Sequence, residues 1–153
     1  MQILISAVGR MKDKAELTLA ETYLARIRPR PVVIEIDLPE SGKRSAGEDK
    51  KREGEKLLQS LPSSCVRIVL DEKGKAYTSE YFARRFEKWR ERGPALAFLI
   101  GGADGHADAV KSAADESLSF GLMTWPHRLV RIMLLEQIYR AQQILAGHPY
   151  HRA

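Results

Sequence analysis

The spacing of apolar positions divides the chain into two alternating kinds of segment. Gln2 to Val8 is a short apolar run suited to a buried strand. From Asp13 to Arg28, Leu17, Ala20, Leu24 and Ile27 recur at three- and four-residue steps, the stripe of a helix that buries one side. Pro29 and Pro31 end that helix, since proline lacks an amide donor, and Val32 to Asp37 alternates as a β-branched strand. Pro39 to Gly47 is polar with two glycines and predicts a loop, followed by a charged helix from Glu48 to Leu61. Val66 to Leu70 predicts the next strand, and Asp71-Glu72-Lys73-Gly74-Lys75 the turn after it. Thr78 or Ser79 caps a helix to about Arg92, stopped by Gly93-Pro94. The unbroken apolar run from Ala95 to Ile100 marks a central strand covered on both faces. Gly101 to Gly105 turns into a small-residue helix through Ala114, and Ser117 to Met123 is a short mixed strand. Pro126 opens a last helix, His127 to about Ala146.

Strands that alternate with helices in this way predict an α/β fold with a mostly parallel sheet and helices on both faces. Ligands of such sheets bind beyond the carboxyl ends of the strands. At 153 residues and 17.3 kDa, with no repeat and no linker-like tract, the whole chain reads as one domain. Cys65 is the lone cysteine, which excludes a disulfide framework and a cysteine metal cluster. No apolar run approaches the ~18 residues of a membrane span, and the N-terminus lacks signal-peptide features. The expectation is a soluble cytoplasmic protein without membrane or metal.

Charge sharpens this picture. Lysine and arginine number 25 against 20 acids, a net +5 with a pI near 9.4, which favours a polyanionic partner. Four arginines, Arg128, Arg131, Arg140 and Arg152, face one acid, Glu136, between His127 and Ala153, and three of the four histidines lie there too. Glu136 and Arg140, one turn apart, are placed to pair. Three strand-end loops carry candidate chemistry: Asp71 with Glu72, Gly101-Gly102 with Asp104, and Gly121 to Pro126. Neither G-x-G-x-x-G nor G-x-x-x-x-G-K-[ST] occurs, so dinucleotide and triphosphate cradles lack their basis. The acids would repel phosphate while tolerating a cation and accepting bonds from ribose hydroxyls. A cationic, ribose-bearing, phosphate-free ligand such as S-adenosylmethionine meets those conditions. Gly121 to Pro126 offers an apolar slot with free backbone groups for an adenine ring, or else a plain edge strand with a proline stop. The final helix is apolar over more than one face, which fits a partner subunit or thorough burial within the domain. The tail, His148-Pro149-Tyr150-His151-Arg152, combines cationic, aromatic and titratable groups of the kind that hold a phosphate and stack a base. Its two histidines lack the acidic or cysteine partners of a zinc site.

Phe98 to Gly105, Thr124 to Arg131, Glu136 to Ala141 and the ending His148 to Arg152 together resemble the RlmH family, SPOUT-class methyltransferases acting on N3 of a pseudouridine in large-subunit ribosomal RNA. The likeness covers essentially the whole chain, including Leu70-Asp71, Gly74-Lys75 and Glu53-Gly54-Glu55. It implies a minimal α/β fold with a C-terminal trefoil knot, S-adenosylmethionine as cofactor, a homodimer, and recognition within the assembled ribosome. By matching positions, Leu70, Gly102, Gly121, Leu122, Met123, Thr124, Trp125 and Pro126 would line the cofactor pocket. His148, Tyr150, His151 and Arg152 would face the RNA, with His148 or His151 as base and Arg152 as electrostatic helper. Arg128 and Arg131 are further substrate candidates. The chain departs from the usual pattern at Ala103-Asp104, where the family has proline and glutamate, and at Trp125 to Arg128, where it often has Leu-Pro-His-Pro. Neither change removes a main-chain contact. From the residues alone, a non-enzymatic ribosome- or RNA-binding module and an α/β domain for another nucleotide, such as a flavin, remain the competing readings.

Overall fold

A computed structural model of the chain describes residues 1–37 and 45–151. Among these residues, β1 (Gln2–Val8), β2 (Val32–Ile36), β3 (Val66–Ala76), β4 (Ala95–Ile100) and β5 (Glu116–Ser119) form one sheet in the order β2-β1-β4-β3-β5. Every neighbouring pair is parallel. Helices α1 (Lys14–Arg26), α2 (Ala46–Gln59), α3 (Ser79–Glu91), α4 (Asp108–Ala113) and α5 (His127–Leu145) alternate with the strands, as the periodicity predicts. All of β4 is buried, because its side chains point alternately to two covered faces. Leu96, Phe98 and Ile100 pack with Phe82, Phe86 and Trp89 of α3 and with Leu134, Leu135 and Ile138 of α5. Ala97 and Leu99 instead meet Leu57 of α2 and Val110 of α4. Helices therefore cover both faces and leave the strand ends as the place for chemistry.

Three predicted boundaries move, each for a local physical reason. The five residues from Asp71 to Lys75 are not a turn after a strand, because β3 runs on to Ala76 with a break in its register against β5 between Leu70 and Lys75. Asp71 Oδ1 accepts the Lys73 N–H at 3.1 Å and folds the extra residues into a bulge. Gly74 makes this possible, since a Cβ there would lie 2.8 Å from the Ser117 carbonyl carbon and 2.9 Å from Leu118 backbone atoms. The strand predicted to reach Met123 ends at Ser119. There Ser119 Oγ accepts the Gly121 N–H at 3.1 Å, and Gly121 turns away with φ +112°. Finally, Gly47 belongs to α2 rather than to a loop, because Ser45 caps that helix by accepting the Glu48 N–H at 3.2 Å. The rest of the predicted loop, residues 38–44, lies outside the described residues.

The last helix settles one of its two readings only in part. Leu134, Leu135, Ile138 and Ala141 are buried within the domain, whereas Leu129 and Leu145 remain exposed. Beyond α5 the tail is ordered as a single 3-10 turn, Pro149–His151, instead of fraying. The bulge yields a prediction: Gly74→Ala should lower the unfolding free energy by about 1–3 kcal/mol through overpacking against β5. A shift of the urea midpoint with an unchanged slope would register this.

Candidate active site

Because β3, β4 and β5 lie side by side and parallel, the loops that leave them open onto one edge. There they enclose a cavity of about 720 Å³. Leu70, Ile100, Leu118 and Phe120 make its lining apolar at the strand ends, and Asp71, Glu72 and Asp104 add carboxylates. The walls are tied to one another. Glu72 receives Ser119 Oγ on its main-chain carbonyl at 3.1 Å and the Thr124 hydroxyl on Oε2 at 2.7 Å, which sews the bulge to the loop after β5. Asp71 lies 3.4 Å from Lys111 Nζ. Burial pushes the Asp71 carboxyl up, but the Lys73 amide and the Lys111 ammonium outweigh it and hold it below its ordinary value.

The glycines of the second loop differ in what they allow. A Cβ on Gly101 would lie 2.9 Å from the Gly105 carbonyl oxygen, so Gly101 serves the turn. Gly102 backs onto the end of β1 and onto α2, where a Cβ would sit 3.1 Å from Val8 and 3.2 Å from a Glu53 carboxylate oxygen. Burial, reinforced by Asp104 and Asp49, raises the Glu53 carboxyl above its usual range. In the third loop Gly121 has open space where a Cβ would stand, and its N–H and carbonyl both bond Ser119 Oγ.

The structure gathers most of the proposed cofactor positions. Leu70, Gly102, Gly121 and the run from Met123 to Pro126 all line this cavity, while the Leu122 side chain is outside it and fully exposed. The tail is elsewhere. Tyr150 docks on Glu136 and Arg140 of α5, and no described tail residue lines the cavity. Arg152 lies outside the described residues, as does the His151 side chain.

Comparison with known proteins bears on what this cavity is for. The family described as "Predicted SPOUT methyltransferase" matches residues 1–151. Two relatives carry the name Ribosomal RNA large subunit methyltransferase H: one from Paramagnetospirillum magneticum, 50% identical over 99% of each chain, and one from Xanthobacter autotrophicus, 49% identical over 100% of each. The chain belongs to the RlmH family of SPOUT methyltransferases. Its fold also resembles that of the Legionella pneumophila protein Lpg2936, solved in complex with S-adenosylmethionine, with a TM-score of 0.52 at 11% identity. That match covers 92% of this chain and 66% of the other.

Two RlmH-type residues expected to meet substrate are placed differently. Arg131 is only 3% exposed, with its guanidinium on Glu35 Oε2 at 2.8 Å and on the Gly9 carbonyl at 3.1 Å. Glu35 also accepts the Met11 N–H at 2.8 Å, so this pair locks the ends of β1 and β2 against α5. Arg128 is exposed near Glu16 at 3.8 Å and does not line the cavity. Two cavity residues escaped the sequence reading. His106, 5% exposed, shares a hydrogen bond of 3.2 Å with the Leu99 carbonyl, and burial lowers its basicity. His127 is likewise lowered by burial, aided by the Arg128 and Arg131 charges. Both rings are therefore biased towards the neutral form. The signal for His127 was its place directly after Pro126 at the helix start; His106 carried none beyond following a glycine turn.

The Arg131–Glu35 pair carries a stability prediction. Arg131→Ala should cost about 2–3 kcal/mol, less than a wholly buried pair because Glu35 is partly exposed. Although burial raises Glu35, its bonds to Arg131 and the Met11 amide hold it below the ordinary glutamate value. The pair's contribution is therefore complete above about pH 4.5 and lost as pH falls through the folded value. Unfolding free energy between pH 3 and 7 (roughly the carboxylate range) should fall less steeply on acidification in the variant than in the parent.

Proposed function

We propose that this chain transfers the methyl group of S-adenosylmethionine to N3 of a pseudouridine in large-subunit ribosomal RNA. In this reading it works on the assembled ribosome, as a cytoplasmic homodimer with a trefoil-knotted C-terminal part. The observation that carries the proposal is the convergence of the family's cofactor positions on one cavity at the ends of three parallel strands. Its residues suit the cofactor. Leu70, Leu118 and Phe120 offer apolar surface for a flat ring, and the backbone beyond Ser119 has left the ladder, with the Gly121 N–H and carbonyl engaged by Ser119 Oγ. Asp71, Glu72 and Asp104 offer carboxylate acceptors for ribose hydroxyls, in a lining they share with Lys50, Lys73 and Lys111. No helix among the described residues is long and apolar enough to cross a membrane.

Bound there, the cofactor supplies an electrophilic methyl group on a positive sulfur. The protein's tasks are to exclude water, hold the nucleobase nitrogen in line with that methyl group, and take up the N3 proton. Alignment of this kind contributes roughly 7–11 kcal/mol in favourable cases. The proton falls to the tail. His148 Nδ1 accepts the Tyr150 N–H at 3.2 Å, which leaves Nε2 as the protonated nitrogen of a neutral ring. His148 so arranged is a hydrogen-bond donor to the developing negative oxygen, and His151 takes the role of base with Arg152 beside it.

Geometry supports the homodimer. Glu136 and Arg140, where the tail docks, follow His127 by nine and thirteen residues on α5, which is about 14 and 20 Å along the axis. At about 100° per residue Glu136 also points opposite to His127 around the helix. A tail held on that side of α5 serves a cavity in a second copy. The exposed Met123 and Trp125, which line the cavity, and the exposed Leu122 and Leu129, close to them in sequence, are suited to the contact.

Four measurements test the reading. S-adenosylmethionine and S-adenosylhomocysteine should each raise the unfolding midpoint by several degrees, whereas ATP and FMN should not. Gly121→Val, strained at φ +112° and with a side chain next to the cavity, should weaken S-adenosylmethionine binding at least tenfold by calorimetry. Mixing a protomer truncated after Gly147 with a Gly121→Val protomer should restore methyl transfer to ribosomes that neither gives alone. Failure to restore it would place the tail's action within its own chain. Mass mapping of ribosomal RNA from a strain lacking the protein should show one methyl group missing from one pseudouridine.

A further inference from the structure

The tail is the part of the chain least expected to be ordered, since terminal residues without anchorage fray. Here the Tyr150 side chain anchors it. The Tyr150 hydroxyl donates to Glu136 Oε2 at 3.1 Å, and its ring lies under the Arg140 guanidinium at 4.9 Å. The ring also meets the Tyr139 ring at 4.8 Å and 70°, an edge-to-face contact. Arg140 donates from Nε to Glu136 Oε1 at 2.7 Å and from a terminal nitrogen to the Tyr150 carbonyl at 3.4 Å. Both carboxylate oxygens of Glu136 are therefore engaged within the protein, and Arg140 and Tyr139 both pack on the Tyr150 ring. The carboxylate and guanidinium side chains are each 20% exposed. Burial and the Glu136 contact push the Tyr150 phenol up to about 12, so it stays a proton donor at any working pH.

We propose that Glu136 and Arg140 are positioning residues for methyl transfer, and that Tyr150 is their anchor point rather than a platform for a substrate base. The clamp holds the turn Pro149–His151 against Glu136 and Arg140 of α5, away from the chain's own cavity, and in the homodimer reading this keeps the turn in place for the cavity of a partner copy. This rests on the reading above, in which the tail completes the site of a second protomer. It also accounts for an arrangement that stacking on RNA would not need. A tyrosine meant for a base presents an open ring face, whereas this half-buried ring carries the Arg140 guanidinium over it and packs against Tyr139.

The test compares Glu136→Ala, Tyr150→Phe and the double variant with the parent in four measurements. These are methyl transfer to ribosomes at saturating cofactor, S-adenosylmethionine affinity by calorimetry, amide hydrogen exchange at His148 and Tyr150, and the unfolding midpoint. Glu136→Ala should lower kcat at least tenfold and speed exchange in the tail at least tenfold. Its cofactor affinity should stay within twofold of the parent. Tyr150→Phe keeps the ring packing and should lose less, and the double variant should be no slower than Glu136→Ala alone, because the two residues act through one bond. Arg140→Lys, which keeps the charge but not the planar group over the ring, should resemble Glu136→Ala. The proposal is overturned if Glu136→Ala turns over at the parent rate, if its tail amides stay protected, or if the losses multiply in the double variant. Loss of cofactor affinity together with the unfolding midpoint would also overturn it, by making the clamp a general prop of the fold. A parent protein that transfers no methyl group refutes the methyltransferase reading instead, and the exchange data still decide whether the clamp holds the tail.

Discussion

Parallel pairing of β3 with both β4 and β5 is the constraint from which the site follows. Parallel neighbours need long crossovers, and the helices that make those crossovers cover both faces of the sheet. What remains open is the edge where the strands finish. With β4 buried throughout, the three adjacent carboxyl ends cannot spread, and the loops leaving them are forced into contact around one cavity. Glu72 shows how closely the loops are coupled, because its main chain holds Ser119 at the end of β5 and its carboxylate holds Thr124 beyond it.

Much of this was legible in the chain. The apolar run from Ala95 to Ile100 predicted its own burial, and the three- and four-residue steps located the helices to within a residue or two at most ends. Two of the misreadings share a cause, turn-forming residues taken as ends of elements, whereas the third carried β5 past the turn at Gly121. Asp71 and Gly74 do what such residues do, but inside a strand, because β5 continues to pair beyond the bulge. Whether a glycine breaks a strand or permits a close approach depends on a neighbour distant in sequence, here Ser117 and Leu118, and local pattern holds no record of that neighbour.

The candidate site divides in the same way. Backbone-rich loops could be matched to positions, and Leu70, Gly102 and Gly121 border one cavity. Side-chain roles depended on who sits opposite. Arg131 looked like a free cation within a basic helix until Glu35 and the Gly9 carbonyl were found facing it. Tyr150 looked like a stacking surface until Arg140 and Tyr139 were found against its ring. Charge counting along α5 sees the cations but not which of them are already satisfied.

The loop after β5 has two surfaces with different obligations. Its inner side contributes Met123 and Trp125 to the cavity, while on its outer side Leu122 is wholly exposed to water. In the homodimer reading, the same few residues answer to a neighbouring molecule and to a small ligand at once. Dilution would then loosen the pocket as it separates the copies, and specific activity would depend on how much of the protein the cell makes.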